Sequence, residues 1–305
     1  MQLTRLFAGL ALALAVAGPA IATDDVKLGF ITKFPVPFFA TMEDAAKAYA
    51  AAHPGVEIIY GQGSAATDIE GQIALIESMV AQGVQGIALT PVDPTVATAL
   101  DRAIASGVKV VLMDNNIPDW DGRTALATTD NYAAGKIAGA HLKTLLKDGD
   151  TLGILEGVPG VPSLDDRVDG MLEGLEGVDV EIVGRLPTNC TEELGLNAAE
   201  DLLTKHPDLK AIYAACGPPA AGAAQAITNA GIANDAIVLV GFDFCCGEAE
   251  ALAAGTEDAT VAQFPTKMAE LGVDALVRAI RGEEVESLID SGAALVTPSN
   301  MAEFQ

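Results

Sequence analysis

The feature that most constrains the fold of this chain is a regular alternation between short β-branched runs and longer stretches with helical periodicity. In one such stretch, residues 68–82, apolar side chains recur three or four positions apart, as in a helix packed on a sheet, at Ile69, Ile73, Ile76 and Val80. Strands that alternate with helices in units of roughly 30 residues form right-handed βαβ crossovers. The pattern therefore predicts an α/β fold built on parallel sheets.

The alternation occurs twice along the chain. Strands are predicted at 26–32, 56–60, 86–90 and 109–113, and the pattern then starts again at 124–128 and continues through 151–155, 180–186, 209–214, 237–242 and 260–263 to an extended end at 293–297. Two such series are more than one sheet needs. We therefore expect two doubly wound parallel-sheet lobes with a ligand cleft between them, which is a preferred place for a small-molecule site.

The N-terminus has the pattern of a secretory signal peptide. A short segment with one positive charge, residues 1–5, precedes an unbroken apolar run at 6–17, and Ala20-Ile21-Ala22 has the small-x-small form of a cleavage site. The apolar run is shorter than the roughly 20 residues that a membrane span needs, and no later window approaches that length. We therefore expect residues 1–22 to be removed by cleavage near Ala22 and the rest to be exported in soluble form, with no direct membrane insertion.

The composition excludes several classes of partner. The sequence has 17 Lys and Arg residues against 42 Asp and Glu residues, which gives a net charge of −25. Such a charge disfavours binding to nucleic acid and to anionic membrane surfaces. At 50% hydrophobic residues the chain is also too apolar for a disordered acidic protein.

The sequence lacks the common catalytic signatures. It contains no G-x-S-x-G, H-E-x-x-H or Walker A motif. His53 and His206 each precede a proline at a predicted helix end, and His141 lies within a predicted helix, so none is well placed as a base or a metal ligand. We therefore favour a binding protein without cofactor or metal over an enzyme, and a sugar-modifying enzyme is the disfavoured alternative.

Polar residues follow several of the predicted strands. Asp114 and Asn115 come directly after one strand, Asp243 and Gln263 end two others, and Arg167 lies near the start of a helix in the second half. The carboxyl ends of parallel strands are where open α/β sheets place ligand-binding groups. Asp and Arg can fix adjacent hydroxyl groups through charge-assisted hydrogen bonds, which is the chemistry needed for a sugar or a polyol.

Aromatic residues accompany these polar groups. Phe38 and Phe39 follow the first strand, which ends at Thr32, a further candidate contact. An adjacent aromatic pair at a helix start is often part of a core, but one ring can face a cleft and stack on a sugar. Trp120, in the loop after Asp114, is expected either to stack on a ligand at the cleft mouth or to cap the edge of a lobe.

Several short motifs lie along nearly the whole chain that follows the predicted signal peptide. They are Pro37-Phe38-Phe39, Gly83-Val84-Gln85-Gly86-Ile87-Ala88-Leu89-Thr90-Pro91, Val110-Val111-Leu112-Met113-Asp114, Thr129-Asp130-Asn131 with Gly135-Lys136-Ile137-Ala138-Gly139, Asp166-Arg167-Val168-Asp169-Gly170, Val240-Gly241-Phe242-Asp243 and Val261-Ala262-Gln263. Together they resemble the periplasmic sugar-binding proteins of the ribose/galactose type, the substrate-binding components of bacterial ABC transporters.

The resemblance implies a domain organisation. It implies a periplasmic binding protein type I fold, with an N-terminal lobe of residues 23–128 and 264–290 and a C-terminal lobe of residues 129–263 and 291–305. Three chain segments would form the hinge between the lobes, and the bound ligand would close them.

The resemblance also implies a function. The protein would bind a monosaccharide or a cyclic polyol and deliver it to an ABC permease at the membrane, acting as a periplasmic monomer. The alternative is a sensing protein that presents a sugar-like signal to a chemoreceptor or sensor kinase. Phe38 and Phe39 would form an aromatic wall, and the hydrogen-bonding residues would be Asp114, Arg167, Asp243 and Gln263.

The chain departs from the ribose-type pattern at four positions. Asn115 stands where that pattern has an arginine, Cys216-Gly217 replaces an Asn-Asp pair, Cys190 replaces an aromatic residue and Val36 replaces an asparagine. Asn115, Cys216 and Cys190 are thus candidate ligand contacts, but the pocket has lost polar groups and gained sulfur. Ribose itself is therefore not the expected ligand.

All four cysteines lie in the second half of the chain, and in an oxidising compartment an even number favours disulfides. The resemblance places Cys190 and Cys216 in one pocket, which implies that they pair and that Cys245 and Cys246 pair with each other beside Asp243. Neighbouring Cα atoms are about 3.8 Å apart, below the usual disulfide range of about 4.4–6.8 Å. Cross-pairing, free thiols and a soft-metal site therefore remain as alternatives.

Overall fold

The computed structural model describes residues 25–304, so the predicted signal peptide and its cleavage site lie outside the described residues. The strands are β1 (Val26–Thr32), β2 (Val56–Gln62), β3 (Gly86–Leu89), β4 (Lys109–Met113), β5 (Ala125–Thr128), β6 (Thr151–Glu156), β7 (Glu181–Pro187), β8 (Ala211–Ala214), β9 (Val238–Asp243), β10 (Ala259–Gln263), β11 (Leu288–Asp290) and β12 (Ala293–Val296).

The helices alternate with the strands along the chain. They are α1 (Pro37–Ala52), α2 (Ile69–Ala81), α3 (Ala97–Ala105), α4 (Asn131–Leu145), α5 (Pro162–Gly174), α6 (Glu192–Lys205), α7 (Gly217–Asn229), α8 (Glu248–Ala254) and α9 (Pro265–Ile280). Within residues 25–304, none of them is long and apolar enough to cross a membrane.

The strands form two six-stranded sheets, one in each lobe. The first has the order β11-β5-β4-β3-β1-β2, and the second has the order β12-β10-β9-β8-β6-β7. Every pairing is parallel except that of β12 with β10. The predicted α/β class with two mainly parallel sheets is therefore confirmed.

Strand β4 shows why the sequence folds in this way. Successive side chains of a strand point to opposite faces of the sheet. Val111 and Met113 join the cluster under α1 and α9, whereas Val110 and Leu112 join the cluster under α2 and α3. A parallel sheet covered by helices on both faces needs such a continuous apolar run rather than an alternating one.

Two features of the sheets differ from the prediction. Strand β11 was not predicted, because it is only three residues long and Leu288 is 61% exposed. The second difference is that β12 runs antiparallel. Strand β10 ends at the hinge with Gln263, and β12 begins at the hinge with Ala293. Because Gln263 pairs with Ala293, the two strands must run in opposite directions.

The chain passes between the two sheets three times, after β5, after β10 and after β11. Hydrogen bonds join two of these crossings, since the backbone N–H of Ser291 donates to the Thr128 carbonyl oxygen at 2.8 Å and the hydroxyls of Ser291 and Thr129 lie 3.2 Å apart. This is the arrangement of a hinge. The lobe boundaries given above remain a prediction.

Candidate functional site

A cavity lies between the lobes, at the carboxyl ends of the strands. It encloses about 660 Å³ of space free of protein atoms, including solvent at its opening. Polar and sulfur-containing residues from both lobes line it, namely Lys33, Asp114, Asn115, Ser163, Arg167, Cys190, Cys216, Asp243, Cys245, Cys246 and Gln263. The remaining lining is apolar.

A hydrogen-bonded group of three side chains forms the wall of the cavity in the second lobe. Arg167 donates from Nη1 to Oδ1 of Asp243 at 3.0 Å, and Gln263 donates from Nε2 to the same oxygen at 2.6 Å. The other carboxylate oxygen of Asp243 accepts from the backbone N–H of Gly217 at 3.0 Å. Of the two ends of the Gln263 amide, only the NH₂ group can donate to the carboxylate, so the amide is fixed in orientation. Its Oε1 is buried and has no hydrogen-bond partner.

Arg167 is held in place on every side. It is 3% exposed, and its guanidinium lies 3.9 Å from the centre of the Phe242 ring. Its Nε donates to Oδ1 of Asn131 at 2.8 Å and Nη1 donates to the Ala215 carbonyl oxygen at 2.8 Å. A buried charge is tolerated only with a partner and hydrogen bonds, and Arg167 has both. It is therefore a rigid part of the wall.

Asp114 and Lys33 form the polar wall of the first lobe. Both are buried, at 8% and 9% exposure. Burial raises the pKa of Asp114, and the positive charges of Lys33 and Arg167 oppose this. Burial lowers the pKa of Lys33, and the negative charge of Asp114 opposes this. The two groups stabilise each other's charge across the cavity wall.

The two strand-end carboxylates share an unusual backbone conformation. Asp114 has φ 64° and Asp243 has φ 90°, both in the left-handed region that L-residues seldom adopt. Such conformations cluster at ligand-binding sites, where surrounding contacts stabilise them. In both lobes the chain therefore turns sharply at the residue that presents a carboxylate to the cavity.

Three phenylalanines form an aromatic wall. Phe38 and Phe39 are each 5% exposed and meet edge to face, with ring centres 5.3 Å apart. Phe34 packs edge to face on Phe39 at 5.4 Å. All three line the cavity, and the pair also belongs to the core of the first lobe.

Asn115 joins the two lobes. Its Oδ1 accepts a hydrogen bond from the hydroxyl of Ser163, at the start of α5 in the other lobe. An arginine at this position could reach into the cavity. The Asn115 side chain is shorter, and its oxygen is already bonded to Ser163.

The cysteines form two disulfides. Cys190 is bonded to Cys216, with Cα atoms 5.7 Å apart, and Cys245 is bonded to its neighbour Cys246. All four residues line the cavity. The sulfur atoms of Cys245 and Cys246 and a carboxylate oxygen of Glu248 lie within 4.8 Å of one another. Because soft metals bind thiolates, a metal at this position would first require reduction of the disulfide.

Comparison with known proteins identifies the family. Residues 29–284 match the periplasmic binding protein domain family, over more than half of the chain. The chain belongs to the periplasmic binding protein family. Membership in this family implies a periplasmic location and a transport role rather than an enzymatic one.

Individual relatives of this periplasmic binding protein agree with that assignment. It is 30% identical over 274 residues to the D-ribose/D-allose-binding protein of Pseudomonas aeruginosa, with 85% of each chain covered. It is similar to the structure of an ABC transporter solute-binding protein from Agrobacterium vitis with bound D-fucose (29% identity, TM-score 0.85, 90% of this chain and 96% of that one). A third similar protein is an ABC transporter solute-binding protein from Bacillus halodurans with bound myo-inositol (25% identity, TM-score 0.85, 92% and 97% covered).

These relatives confirm the predicted family and fold. They also favour the predicted role in an ABC importer over the alternative role in signal sensing. Ligand contact by each individual site residue stays a prediction, for which the structure gives the position of the side chain.

Two of the predicted contacts lie elsewhere. Thr32 is fully buried, and its hydroxyl accepts a hydrogen bond from Gln62 at 3.1 Å. Trp120 packs against the core of the first lobe and donates from Nε1 to Asp101 on α3 at 2.8 Å. Of the two positions considered for Trp120, the structure shows the one at the lobe edge. Neither residue lines the cavity in this structure.

Part of the cavity lining was not predicted from the sequence. Lys33 and Phe34 follow β1 directly and were not considered, although a charged residue next to a buried strand end is a signal. The apolar lining was also missed, because it comes from loop residues and from the first turns of α5 and α7, where no periodicity marks it: Ala66, Val92, Val158, Val161, Leu164 and Pro218.

Proposed function

We propose that this periplasmic binding protein binds a monosaccharide or a cyclic polyol in the cavity between its lobes and delivers it to the permease of an ABC importer. The observation that supports this most directly is the unpaired Oε1 of Gln263 in the cavity wall. A buried acceptor without a partner is costly, and a ligand hydroxyl would supply the missing donor. Asp114 and Lys33 offer an acceptor and a donor from the opposite lobe.

The charges favour an uncharged ligand. Two cations, Lys33 and Arg167, and two carboxylates, Asp114 and Asp243, line the cavity. The two signs balance, so an ionic ligand would leave one buried charge uncompensated. Hydroxyl groups can bond to all four without adding charge.

The apolar lining favours a ligand with one edge that carries few hydroxyl groups. Phe38 and Phe39 would cover one face of the ring. The Cys245–Cys246 and Cys190–Cys216 disulfides offer sulfur rather than hydrogen-bonding groups. A deoxy sugar therefore fits better than ribose, and the relative with bound D-fucose is consistent with this.

Further parts of the proposal follow from the family. The protein would act as a monomer, its lobes would close on the ligand about the three crossings, and cleavage near Ala22 would release it to the periplasm. It would not change its ligand chemically. Histidine is the side chain that most often acts as an acid or base near neutral pH, and among residues 25–304 no histidine lines the cavity.

A thermal-shift screen tests the proposal. The panel contains pentoses, hexoses, deoxy sugars and inositols, and the sugar is recovered by chromatography afterwards. A micromolar ligand at millimolar concentration should stabilise the protein by about 4 kcal/mol. Gln263→Leu, a variant of similar size, should lose most of the shift. If no compound shifts the unfolding temperature, or if the sugar is recovered as a product, the proposal is wrong.

A further inference from the structure

Glu248 is a buried carboxyl group next to the vicinal disulfide, and it does not line the cavity. It begins α8 and is 0% exposed. Its Oε2 accepts a hydrogen bond from the backbone N–H of Cys246, and its Oε1 has no partner. Glu248 therefore holds the Cys245–Cys246 turn from outside the cavity.

The same carboxyl group also lies against Gly217. A Cβ at position 217 would be 2.3 Å from the Glu248 Oε1, so only glycine leaves room for it. The backbone N–H of Gly217 donates to the Asp243 carboxylate. Glu248 thus contacts two chain segments next to Asp243. The first contains Gly217, which donates to the Asp243 side chain, and the second is the Cys245–Cys246 turn, which follows Asp243 in sequence.

A second buried carboxyl group, that of Glu257, lies nearby. It is 1% exposed, neither of its oxygens has a partner, and it packs against Gly241 of β9. Burial, and then the negative charges of Glu248 and Asp258, raise the pKa of Glu257 well above its usual range. Glu257 does not touch the disulfide turn.

Burial also raises the pKa of Glu248, to about 7, although the N–H of Cys246 opposes this by bonding to the carboxylate. The neighbouring elements do not supply a compensating cation. Helix α7 contains no charged residue, Glu303 on the C-terminal turn is exposed, and Arg167 is paired with Asp243. The other charged groups around the pair are Asp243, Asp258 and, facing Asp258, His141. Glu248 is therefore a buried carboxyl group whose pKa lies near neutrality.

We propose that Glu248 is a positioning residue for ligand binding, that its carboxylate holds the disulfide turn and Gly217 around Asp243, and that ligand affinity falls when it takes up a proton. The inference rests on the proposed function, since it concerns the same cavity. A charge-assisted hydrogen bond is roughly twice as strong as a neutral one, so protonation loosens the turn. Affinity should fall about five- to tenfold between about pH 8 and about pH 5.5. By linkage, ligand binding near pH 7 should release a proton.

Isothermal titration with D-allose, D-fucose and myo-inositol at several pH values tests this. In Glu248→Gln, the neutral variant of the same shape, affinity should equal the low-pH value of the wild type at every pH. Glu257→Gln removes the other buried carboxyl group and should keep the wild-type profile, with proton release. A wild-type affinity that does not change with pH, or a Glu248→Gln profile that matches the wild type, would overturn the inference.

A second measurement needs no ligand. Hydrogen exchange of the Cys246 amide, corrected for its intrinsic pH dependence, should speed up on acidification in the wild type and in Glu257→Gln, but not in Glu248→Gln. Identical profiles in all three would overturn the inference. If none of the three sugars binds the wild type at high pH while the exchange result holds, it is the choice of ligand class that fails, and Glu248 keeps its positioning role.

Discussion

The Asp243→Asn substitution removes the charge that neutralises Arg167 and keeps the size of the side chain. Asp243 accepts hydrogen bonds from Arg167, Gln263 and the backbone of Gly217. An asparagine has one acceptor oxygen and one NH₂ group. Whichever way it is turned, its NH₂ faces at least one of these N–H donors, and Arg167 becomes a buried charge without a counter-ion.

The size of the effect follows from burial. The side chains of Arg167 and Asp243 are 4% and 13% exposed. Breaking a buried pair by removing one charge costs about 3–5 kcal/mol. The oxygen that asparagine retains offsets part of this, so we expect the free energy of unfolding to fall by about 2–4 kcal/mol.

Urea unfolding followed by circular dichroism measures this loss, with Glu77→Gln as the matched control. Glu77 pairs with Arg102 at the surface, where both side chains are more than half exposed, at 57% and 56%. Surface pairs contribute about 0–1 kcal/mol, so the control should stay close to the wild type. Equal losses in the two variants would refute the reasoning that the Asp243 network is a buried, structurally required part of the cavity wall.

Three further predictions concern the cavity and the buried groups next to it. Replacing Cys190 and Cys216 by serine should lower the free energy of unfolding by about 3.5 kcal/mol, because the bond spans a sequence separation of 26. The disulfide between the neighbouring Cys245 and Cys246 closes no loop, so replacing both by serine should weaken ligand binding but lower the free energy of unfolding only slightly. Equal losses of unfolding free energy for the two pairs would contradict this. Burial raises the pKa of Glu248 to about 7 in the folded state, so the folded protein keeps a proton that the unfolded chain releases. As pH rises from about 4.5 to about 7, the wild type should therefore lose about 3 kcal/mol more unfolding free energy than Glu248→Gln, in which the other buried carboxyl groups remain; parallel urea midpoints against pH would contradict it. Lys33→Met should lower sugar affinity about tenfold or more in isothermal titration, since it removes a charged hydrogen-bond donor, and an unchanged affinity would place Lys33 outside the site.

The fold could largely be predicted because its signal is local. Strands such as β4 are continuous apolar runs, and the helices between them show a clear period, so both series of βα units are visible in the sequence. Strand β11 has no such signal. It exists because β5 offers a free edge, and its pairing with residues 126–128 depends on tertiary structure. The direction of β12 likewise depends on tertiary structure, because the chain enters the second lobe from the hinge, beside the end of β10.

The polar cavity residues could be found for a different reason. Asp114 follows a strand, Asp243 and Gln263 end strands, and the carboxyl ends of parallel strands meet at one edge of a sheet. The same rule also included Thr32, which does not line the cavity and whose hydroxyl accepts a hydrogen bond from Gln62, a contact that the sequence alone does not show.

The buried carboxyl groups could not have been predicted. In the sequence Glu248 and Glu257 are ordinary acidic residues in a helical stretch and in the loop that follows it. They are buried because Gly217 and Gly241 lack the side chains that would fill their places. Glu248 and Gly217 are about 30 positions apart in the sequence, and Glu257 and Gly241 about 16. No periodicity in the sequence reveals that these residues pack together.

The most direct test of the account is a crystal structure of the protein with D-fucose or another sugar that stabilises it. The account predicts electron density for the sugar between the lobes, with one hydroxyl group within hydrogen-bond distance of the Gln263 Oε1 and another near Asp114. The less hydroxylated edge of the sugar should lie on the Cys245–Cys246 disulfide. A sugar bound outside this cavity, or bound within it with the Gln263 Oε1 still unpaired, would contradict the account.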